Sequence, residues 1–469
     1  MSAVAPLPFY RRAREALADT RLQTALDIAT GRMVNARRQA FGGLVEGDAI
    51  RDHARQIRAH TVAHLGTYLD QFVAQATAAG ASVSFAEDAA AASRLVVDIA
   101  RRHEVQRVVK AKSMVSEEIA LNDALEQAGM QVVETDLGEY VVQLDHDHPS
   151  HIIAPIIHKS RADVAETFQR ELHASDEEVA DIPQMTAFAR RMLRTEFLAA
   201  DMGVSGVNFA VAESGSLCLC TNEGNGRLST TVPRVHVALL GLERVLPTAQ
   251  DLSVLLQVLA RSATGQPLTV YTNIVTGPRR ADDPDGPSHL HVVIVDNGRS
   301  RMLRTELEEI LLCIRCGACL NVCPVYQEIG GHAYGSVYQG PVGAVFTPGA
   351  FGLEPWAALP QASSLCGACK DACPVRIDIP RMLLALRADT VDAGLAPRWA
   401  VAGLRTFRWA ATRPPLFRAL AAVVRRLSRL FGPRGFDRLP GPLAGWTAHR
   451  RFPPMAAETF TARWRRSRT

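Results

Sequence analysis

The sequence predicts an α/β protein with a largely parallel sheet, helical N- and C-terminal extensions, and a cysteine-rich segment after the sheet. Three observations carry this prediction. Residues 9–78 have helical periodicity, short apolar runs alternate with helical stretches from about 82 to 300, and seven of the nine cysteines fall in two short runs after residue 312. Strand–helix alternation is typical of βα units, whose strands lie parallel.

The N-terminal region, residues 1–78, is predicted to be helical. Within "AIRDHARQIRAHTVAHLGTYLDQFVAQA", apolar side chains recur at helical spacing at Ile50, Ile57, Val62, Leu65, Leu69 and Phe72. They form one stripe, which indicates an amphipathic helix.

Residues 79–300 are predicted to hold the sheet. The runs that indicate strands are, in chain order, "SVSFA", "QRVVKAKSM", "QVVETD", "HIIAPIIH", "RVHVALLG", "TVYTNIVTG" and "HLHVVIVD". Helical patterns lie between them, among them "EDAAAASRLVVDIARRH", "EEIALNDALEQAG" and "AQDLSVLLQVLARSA". "GVNFAVAESGSLCLCTNEG" alternates and has glycine-rich turns, so it predicts a hairpin within this domain.

The cysteine-rich region, residues 301–394, contains two similar runs. The first, "CIRCGACLNVCP" (313–324), places thiols at Cys313, Cys316, Cys319 and Cys323. The second, "SSLCGACKDACP" (363–374), has Cys366, Cys369 and Cys373, with Ser363 at the place of the first thiol. Steps of three, three and four that end in Cys-Pro are typical of bacterial ferredoxins, in which the last thiol of each run binds the other cluster. A structural zinc site, the alternative, usually shows CxxC pairs.

If the last thiol of each run binds the cluster of the other run, the sequence predicts two iron–sulfur clusters, both [4Fe–4S]. The first takes Cys313, Cys316, Cys319 and Cys373, and the second takes Cys323, Cys366 and Cys369. Ser363 holds the fourth position of the second cluster. Ser363 is then either a turn residue, with the fourth iron bound to water or another side chain or absent, or a serinate ligand, or the mark of an open iron that faces a partner.

The segments around these runs complete the cysteine-rich region. "RTELEEILLCI" (304–314) predicts a helix that delivers the first run, and "DIPRMLLALRADTVDAG" predicts a helix after the second. The 42 residues between the runs (324–365) are rich in Gly and Pro and predict a long loop, which at this length is often functional.

The C-terminal extension, residues 395–469, is strongly basic. It carries 16 Arg and no Lys against Asp437 and Glu458, a net charge of +14, whereas the whole chain has only +4. "FRALAAVVRRLSRLFG" predicts a helix in it, and its tryptophans are Trp399, Trp409, Trp446 and Trp464. Such a tail suits an anionic partner, a membrane headgroup surface or an acidic subunit. Nucleic acid is not expected, because no known binding module surrounds the tail.

The location is predicted to be cytoplasmic. No run approaches the roughly 18 apolar residues that a membrane span needs, and no apolar stretch follows Arg11-Arg12 as in a secretory signal. The basic tail is a candidate for peripheral attachment to the inner face of the membrane.

Other candidate residues have competing interpretations. Cys218 and Cys220 point to the same face of a strand and are predicted to be inert core thiols. Lys110, Lys112 and Ser113 end a strand, where they either grip an anionic substrate or form a solvated loop.

Two more residues lie in predicted turns. Glu213 is either a catalytic carboxylate or part of a plain hairpin turn. His332 either lines a partner interface or caps the loop between the cysteine runs. No catalytic residue is assigned.

Long stretches of the chain resemble a known family. "VVKAKSMVSEEIALNDALEQAG", "PSHIIAPIIH", "GVNFAVAESGSLCLCTNEGNGRLSTTVPRVHVALLG" and the two cysteine runs are similar to the iron–sulfur protein of the bacterial L-lactate utilisation system, the LutB or LldF family. The resemblance implies a LUD domain, with a sheet like that of CoA-transferases and ribose-phosphate isomerases, and then a double-cluster ferredoxin-like domain. The same seven thiols and the same serine are implied as the cluster positions. The Arg-rich tail is less typical of the family.

The resemblance also implies a function. The chain would be an electron-transfer subunit of a complex that oxidises L-lactate to pyruvate. Its partners would be a CCG-type cysteine-rich subunit and a second, LUD-only subunit, and its electrons would go to a carrier or quinone. The alternative is a LUD-type domain that binds a metabolite or handles acyl or phosphate groups, with regulatory or structural clusters.

Overall fold

A computed structural model describes residues 9–430, 437–439, 444–445, 447, 450–453, 455–456 and 458–467. The chain divides into two compact units, residues 1–390 and 391–469. The predicted domain boundaries after residues 78 and 300 fall inside the first unit. They stay predictions, as does the boundary after residue 394.

Four helices open the first unit, as the sequence predicts. They are α1 (Phe9–Ala18), α2 (Thr20–Gly42), α3 (Gly47–Ala63) and α4 (Leu65–Ala78). The Asp19 side chain accepts hydrogen bonds from the amides of Arg21 and Leu22 and so caps the start of α2. Ile57 of α3 and Phe72 of α4 are buried, which places the predicted apolar stripe against the core.

A six-stranded parallel sheet forms the centre of this unit, in the order β1-β10-β7-β4-β2-β3. Its strands are β1 (Ser82–Ala86), β2 (Arg107–Lys110), β3 (Gln131–Glu134), β4 (Met202–Gly206), β7 (Val235–Gly241) and β10 (His289–Val295). All seven residues of β7 are buried, as expected for a central strand covered on both faces. The predicted α/β class with a largely parallel sheet is confirmed.

Helices connect these strands. They are α5 (Ala89–Arg102), α6 (Met114–Glu118), α7 (Leu121–Gln127), α8 (Leu137–Leu144), α9 (Arg161–Leu172), α10 (Ile182–Ala199), α11 (Asn225–Thr231) and α12 (Ala249–Ala263). The strand predicted from "HIIAPIIH" is wrong, because residues 151–158 form turns. His151 Nδ1 accepts the amides of Ile153 and Ala154, each at 3.0 Å, so the backbone folds over this side chain instead of extending.

A second sheet has the order β8-β5-β6-β9, with β5 (Phe209–Val211), β6 (Ser216–Thr221), β8 (Val245–Leu246) and β9 (Tyr271–Val275). The antiparallel pair β5–β6 confirms the predicted hairpin. Its turn needs glycine at 215, where φ is +68° and a Cβ atom would lie 2.3 Å from the backbone nitrogen of Ala76.

The cysteine-rich region is built from short helices. They are α13 (Ala318–Asn321), α14 (Pro324–Ile329), α15 (Gly340–Phe351), α16 (Leu353–Trp356), α17 (Ala368–Ala372) and α18 (Ile379–Asp392), with 3₁₀ turns at Leu242–Arg244, Ser300–Met302, Glu308–Leu312, His332–Tyr334 and Leu359–Gln361. The helix predicted over 304–314 is wrong, since only Glu308–Leu312 form a 3₁₀ turn. The carbonyls of Leu311 and Leu312 accept hydrogen bonds from the Arg58 guanidinium instead of continuing a helix.

The predicted long loop between the cysteine runs is also wrong. Residues 324–365 hold α14, α15 and α16, and most of α15 is buried. Its glycines serve close packing: a Cβ atom at Gly343 would lie 1.8 Å from the carbonyl oxygen of Tyr338. The composition predicted a long loop here because a high glycine content does not distinguish turn glycines from tightly packed ones.

The second unit contains α19 (Arg398–Ala411), α20 (Pro414–Leu430) and α21 (Phe460–Arg466). The helix predicted from "FRALAAVVRRLSRLFG" is confirmed by α20. Trp399, Trp409 and Trp464 are exposed, whereas Trp446 lies outside the described residues. Among the helices of the described part of the chain, none is long and apolar enough to cross a membrane.

Candidate iron–sulfur site

The two cysteine runs fold into matching loops. Each run has two left-handed backbone positions at the same places, Arg315 (φ 58°) and Gly317 (φ 73°) in the first, Leu365 (φ 57°) and Gly367 (φ 86°) in the second. Alternating left-handed residues curl the chain tightly, which is how a short loop aims several side chains at one point. The sequence repeat is therefore also a structural repeat.

The first thiol group is Cys313, Cys316, Cys319 and Cys373. These four side chains line one small cavity, together with apolar residues that include Ile152, Val342 and Ile377. The last thiol of the second run thus joins the first three of the first run, the crossed arrangement that the spacing predicts. A set of four thiols around one cavity fits a [4Fe–4S] cluster in its donor chemistry.

The second thiol group is Cys323, Cys366 and Cys369. The pKa of the Cys369 thiol is raised to about 12, first by burial and then by the charges of Cys323 and Cys366. This mutual influence means that the three side chains lie near one another. Cys366 is exposed, so the second group reaches the protein surface.

Ser363 occupies the position in the second loop that Cys313 occupies in the first. Ser363 Oγ accepts the amide of Leu365 at 3.1 Å, as Cys313 Sγ accepts the amide of Arg315 at 3.4 Å. The hydroxyl is a turn acceptor and also points as the equivalent sulfur does. The interpretation of Ser363 as a turn residue and its interpretation as a cluster ligand therefore both stay open.

The buried thiols would need a bound metal ion to become thiolates at neutral pH. Burial raises the pKa of Cys316 to about 12 and that of Cys373 to about 11, and the neighbouring thiols add to both shifts. Without a cation these groups would be neutral thiols at pH 7, and thiolate ligands form as the metal binds. Cys319 is influenced by Cys373 of its own group and by Cys369 of the other, so the two groups are neighbours.

Buried guanidinium groups hold both loops by their carbonyl oxygens. Arg58, fully buried, donates to Leu311 at 2.9 Å, and Arg244 donates to the carbonyl of Cys313 at 2.9 Å. Arg51 donates to the carbonyl of Cys373 at 2.8 Å. This guanidinium shell was not predicted. Arginines at 51, 55 and 58 share one face of α3 with buried Val62, which indicates cations near the core but does not identify the carbonyls they bind.

A charge network joins the first loop to the carboxyl edge of the large sheet. Arg315, between two cysteines, pairs with Glu243 at 3.4 Å and lies 4.4 Å above the Tyr338 ring. Glu243 follows β7 and also pairs with Arg299 at 2.7 Å, which in turn pairs with Glu118. Burial opposes ionisation of Glu243, yet Arg299 and Arg315 lower its pKa to about 2 and keep it charged.

The basic residues at the end of β2 are not a solvated loop. Lys110 is fully buried and pairs with Glu117 at 2.8 Å and Glu134 at 2.6 Å. Lys112 is mostly buried and lies 3.5 Å from Glu139. Ser113 accepts the amide of Ser116 and caps α6. Lys110 and Ser113 thus have structural partners, and Lys112 faces Glu139.

The remaining candidates have local partners. Glu213 accepts the amide of Ala249 at 2.7 Å at the start of α12, which favours the turn interpretation. Cys218 is buried and its pKa is raised, chiefly by a hydrogen bond with Cys220, as expected for an inert core thiol. His332 Nε2 bonds the carbonyl of His148 at 2.6 Å and so fixes the segment between the cysteine runs.

Three family models match successive parts of the chain. The LUD domain matches residues 69–295, the 4Fe-4S dicluster domain matches 309–377, and the C-terminal region of lactate utilisation protein B matches 394–469. The last match corrects the expectation that the Arg-rich tail is less typical of the family. The high arginine content of the tail made this similarity hard to recognise, although it extends over residues 394–469.

Curated relatives match nearly the full length. Lactate utilization protein B of Shouchella clausii is 45% identical and covers 97% of this chain and 96% of its own. The proteins of the same name from Bacillus pumilus and Geobacillus kaustophilus are each 43% identical and cover 96% and 97% of this chain and 96% and 95% of their own. A crystal structure of a DUF162 family protein from Deinococcus radiodurans covers 49% of this chain and 98% of its own at 15% identity, with a TM-score of 0.29.

Proposed function

Because the chain belongs to the lactate utilisation protein B family, we propose that it is the electron-transfer subunit of a complex that oxidises L-lactate to pyruvate. Its dicluster domain and its relatives make it a lactate utilisation iron–sulfur protein. The observation that carries the electron-transfer role is the adjacency of the two thiol groups, one largely buried and the other exposed at Cys366. Such a pair can lead electrons from the interior to the surface.

The cofactors we propose are two [4Fe–4S] clusters. The first is held by Cys313, Cys316, Cys319 and Cys373, and the second by Cys323, Cys366 and Cys369 with Ser363 at its fourth position. Oxidation of lactate to pyruvate releases two electrons and two protons, and each cluster accepts one electron. Two adjacent clusters therefore match one substrate oxidation.

The residues of this chain fix the loops and exclude water. The carbonyl bonds from Arg58, Arg244 and Arg51 hold the loop backbones, and Ile152 and Val342 line the first cavity. Buried positive charge near a cluster favours its reduced, more negative state. The guanidinium shell is expected to raise the potential of the first cluster for this reason.

We propose a CCG-type cysteine-rich subunit and a LUD-only subunit as partners. We also propose that the complex binds a membrane surface or passes its electrons to a quinone. The second unit supports a surface role. On α20, Phe417, Leu420, Val424 and Leu427 are exposed at helical spacing among arginines. A basic amphipathic helix of this kind suits peripheral attachment to the inner face of the membrane.

The test is cluster reduction by substrate. The three subunits are purified together without oxygen, and EPR spectra are taken before and after addition of L-lactate, with D-lactate as the control. Lactate should produce the signal of reduced clusters, and Cys316→Ser should remove the signal of the first cluster. Cys220→Ser, a thiol outside both groups, should change nothing. Clusters that stay oxidised in the full complex would exclude the proposal.

A second candidate function rests on the carboxyl edge of the sheet. Burial raises the pKa of Glu139 to about 8, and burial with the charge of Asp136 raises that of Glu223 to about 7. Carboxyls that titrate near neutral pH, close to Lys112, suit proton transfer on a bound metabolite. The clusters would then regulate or support this domain. Tight binding of a metabolite with no lactate-dependent reduction would favour this function.

A further inference from the structure

The side chains of Asp147, His158 and His332 lie close together, and none of the three belongs to either thiol group or lines the cavity of the first group. Asp147 follows α8, His158 ends the turns before α9, and His332 begins a 3₁₀ turn between the cysteine runs. One ligand atom from each lies within 4.8 Å of the others. From this geometry we propose that the three residues bind one divalent transition-metal ion of the zinc or ferrous type.

The distances suit such an ion. Asp147 Oδ2 lies 2.9 Å from His158 Nε2, and Asp147 Oδ1 lies 3.8 Å from His332 Nε2. Ligand atoms bound at about 2.0–2.1 Å around a tetrahedral ion are roughly 3.3 Å apart. The observed separations lie on both sides of that value. An ion would replace the hydrogen bond between His158 Nε2 and Asp147 and the one between His332 Nε2 and the carbonyl of His148, and side-chain rotations would then bring the three ligand atoms together.

The donor set is also the right one. Two imidazoles and one carboxylate from separate segments form a common site for Zn²⁺ or Fe²⁺, with a position left open for a further ligand. His158 Nδ1 is buried without a hydrogen-bond partner in the described part of the chain. No partner of Nδ1 therefore fixes the tautomer of His158, and the ring can carry its proton on Nδ1 and turn the Nε2 lone pair toward the ion.

An ion can reach this site from solvent. Asp147 and Lys159 line an open cleft of about 390 Å³, through which an ion can reach the Asp147 carboxylate from solvent. Lys159 is a competing cation, but it lies closer to Asp145, at 2.8 Å, than to Asp147, at 3.3 Å. Asp147 therefore keeps lone pairs for the metal, and Lys159 is left to attract an anionic ligand into the cleft.

Zinc is the probe, because the clusters contain iron. Holoprotein purified without oxygen is equilibrated with Zn²⁺, freed of excess by gel filtration, and assayed for zinc and iron by mass spectrometry and for zinc ligands by X-ray absorption. We expect about one zinc per chain, nitrogen and oxygen ligands, and unchanged iron. His158→Ala and His332→Ala should weaken zinc binding on the order of 100-fold.

The matched control is His148→Ala, an exposed histidine of the same segment whose side chain is outside the site. It should bind zinc like the natural chain. Iron content and visible circular dichroism show that each variant keeps its fold. The proposal would be overturned if no zinc binds, if the bound zinc has sulfur ligands, or if the His158→Ala and His332→Ala variants bind zinc as tightly as the natural chain does.

Discussion

Replacing Arg58 by Met is expected to loosen the first cysteine loop. The guanidinium is fully buried and donates to the carbonyls of Glu243, Val245, Leu311 and Leu312. Methionine matches the arginine side chain as far as Nε and has no donor. The substitution therefore keeps most of the packing and leaves four buried carbonyl oxygens without this partner.

The magnitude follows from two opposing terms. Four unsatisfied buried acceptors at about 2 kcal/mol each cost about 8 kcal/mol. Burial lowers the pKa of Arg58 to about 9 from 12.5, so removing the buried charge stabilises the folded loop by about 5 kcal/mol. The net cost is about 3 kcal/mol, which raises the open population of the loop on the order of 100-fold.

Iron release measures that population. A ferrous chelator in excess, added to anaerobic holoprotein, takes iron only from loops that have opened, so its rate follows the opening equilibrium. Arg58→Met should release iron on the order of 100-fold faster than the natural chain. Arg38→Met, an exposed arginine of α2, is the matched control and should not differ.

Equal release rates in the natural chain and Arg58→Met would refute the role of this guanidinium. So would an equal acceleration in Arg38→Met. Acceleration with loss of the far-ultraviolet circular dichroism would indicate global unfolding, and the loop-specific reasoning would then be wrong.

Three further predictions concern pH, potential and ligation. Burial lowers the pKa of His236 to about 3, so below pH 6.5 the unfolded chain binds a proton that the folded chain does not, and the stability falls as the pH falls. Between pH 7.5 and 5, the free energy of unfolding of the natural chain, measured with urea, should decrease by about 2 kcal/mol more than that of His236→Gln. Equal decreases in the two proteins would contradict this. Arg315→Gln should lower the midpoint potential of the first cluster on the order of 100 mV in an EPR titration, whereas exposed Arg301→Gln should not. Ser363→Cys should alter the EPR signal of the second cluster without loss of iron; if neither this variant nor Ser363→Ala changes signal or iron, Ser363 is not at the cluster.

Much of the fold could be predicted because its signals are local. Alternating apolar runs predict the parallel strands, and β7 and β10 appear where "RVHVALLG" and "HLHVVIVD" predict them. Each cysteine run encodes its own curl through the thiol spacing and the left-handed glycine. The curl that turns the thiols of one run toward one point therefore needs only a few residues of sequence, whereas the crossed fourth thiol needs the two runs to pack together.

The guanidinium shell could not be predicted in the same way. Arg58 and Leu311 are 253 positions apart, and no local pattern pairs them. The failed strand at "HIIAPIIH" has a similar cause, since the His151 side chain outcompetes a sheet neighbour for the local amides. Contacts of this kind depend on tertiary packing, which periodicity does not report.

The same contacts limit how the site can work. Carbonyls in both loops are held by buried arginines from α3 and from the segment after β7, so neither loop is free to swing toward a partner. Electrons would then have to move between fixed clusters. The first group has no fully exposed thiol, since its members are buried or half-buried, whereas the second is exposed at Cys366. A docking partner should therefore exchange electrons at the Cys366 face, and a bulky side chain at the exposed neighbouring position, as in Ser364→Trp, should slow that exchange while the iron content and the EPR signals of both clusters stay unchanged.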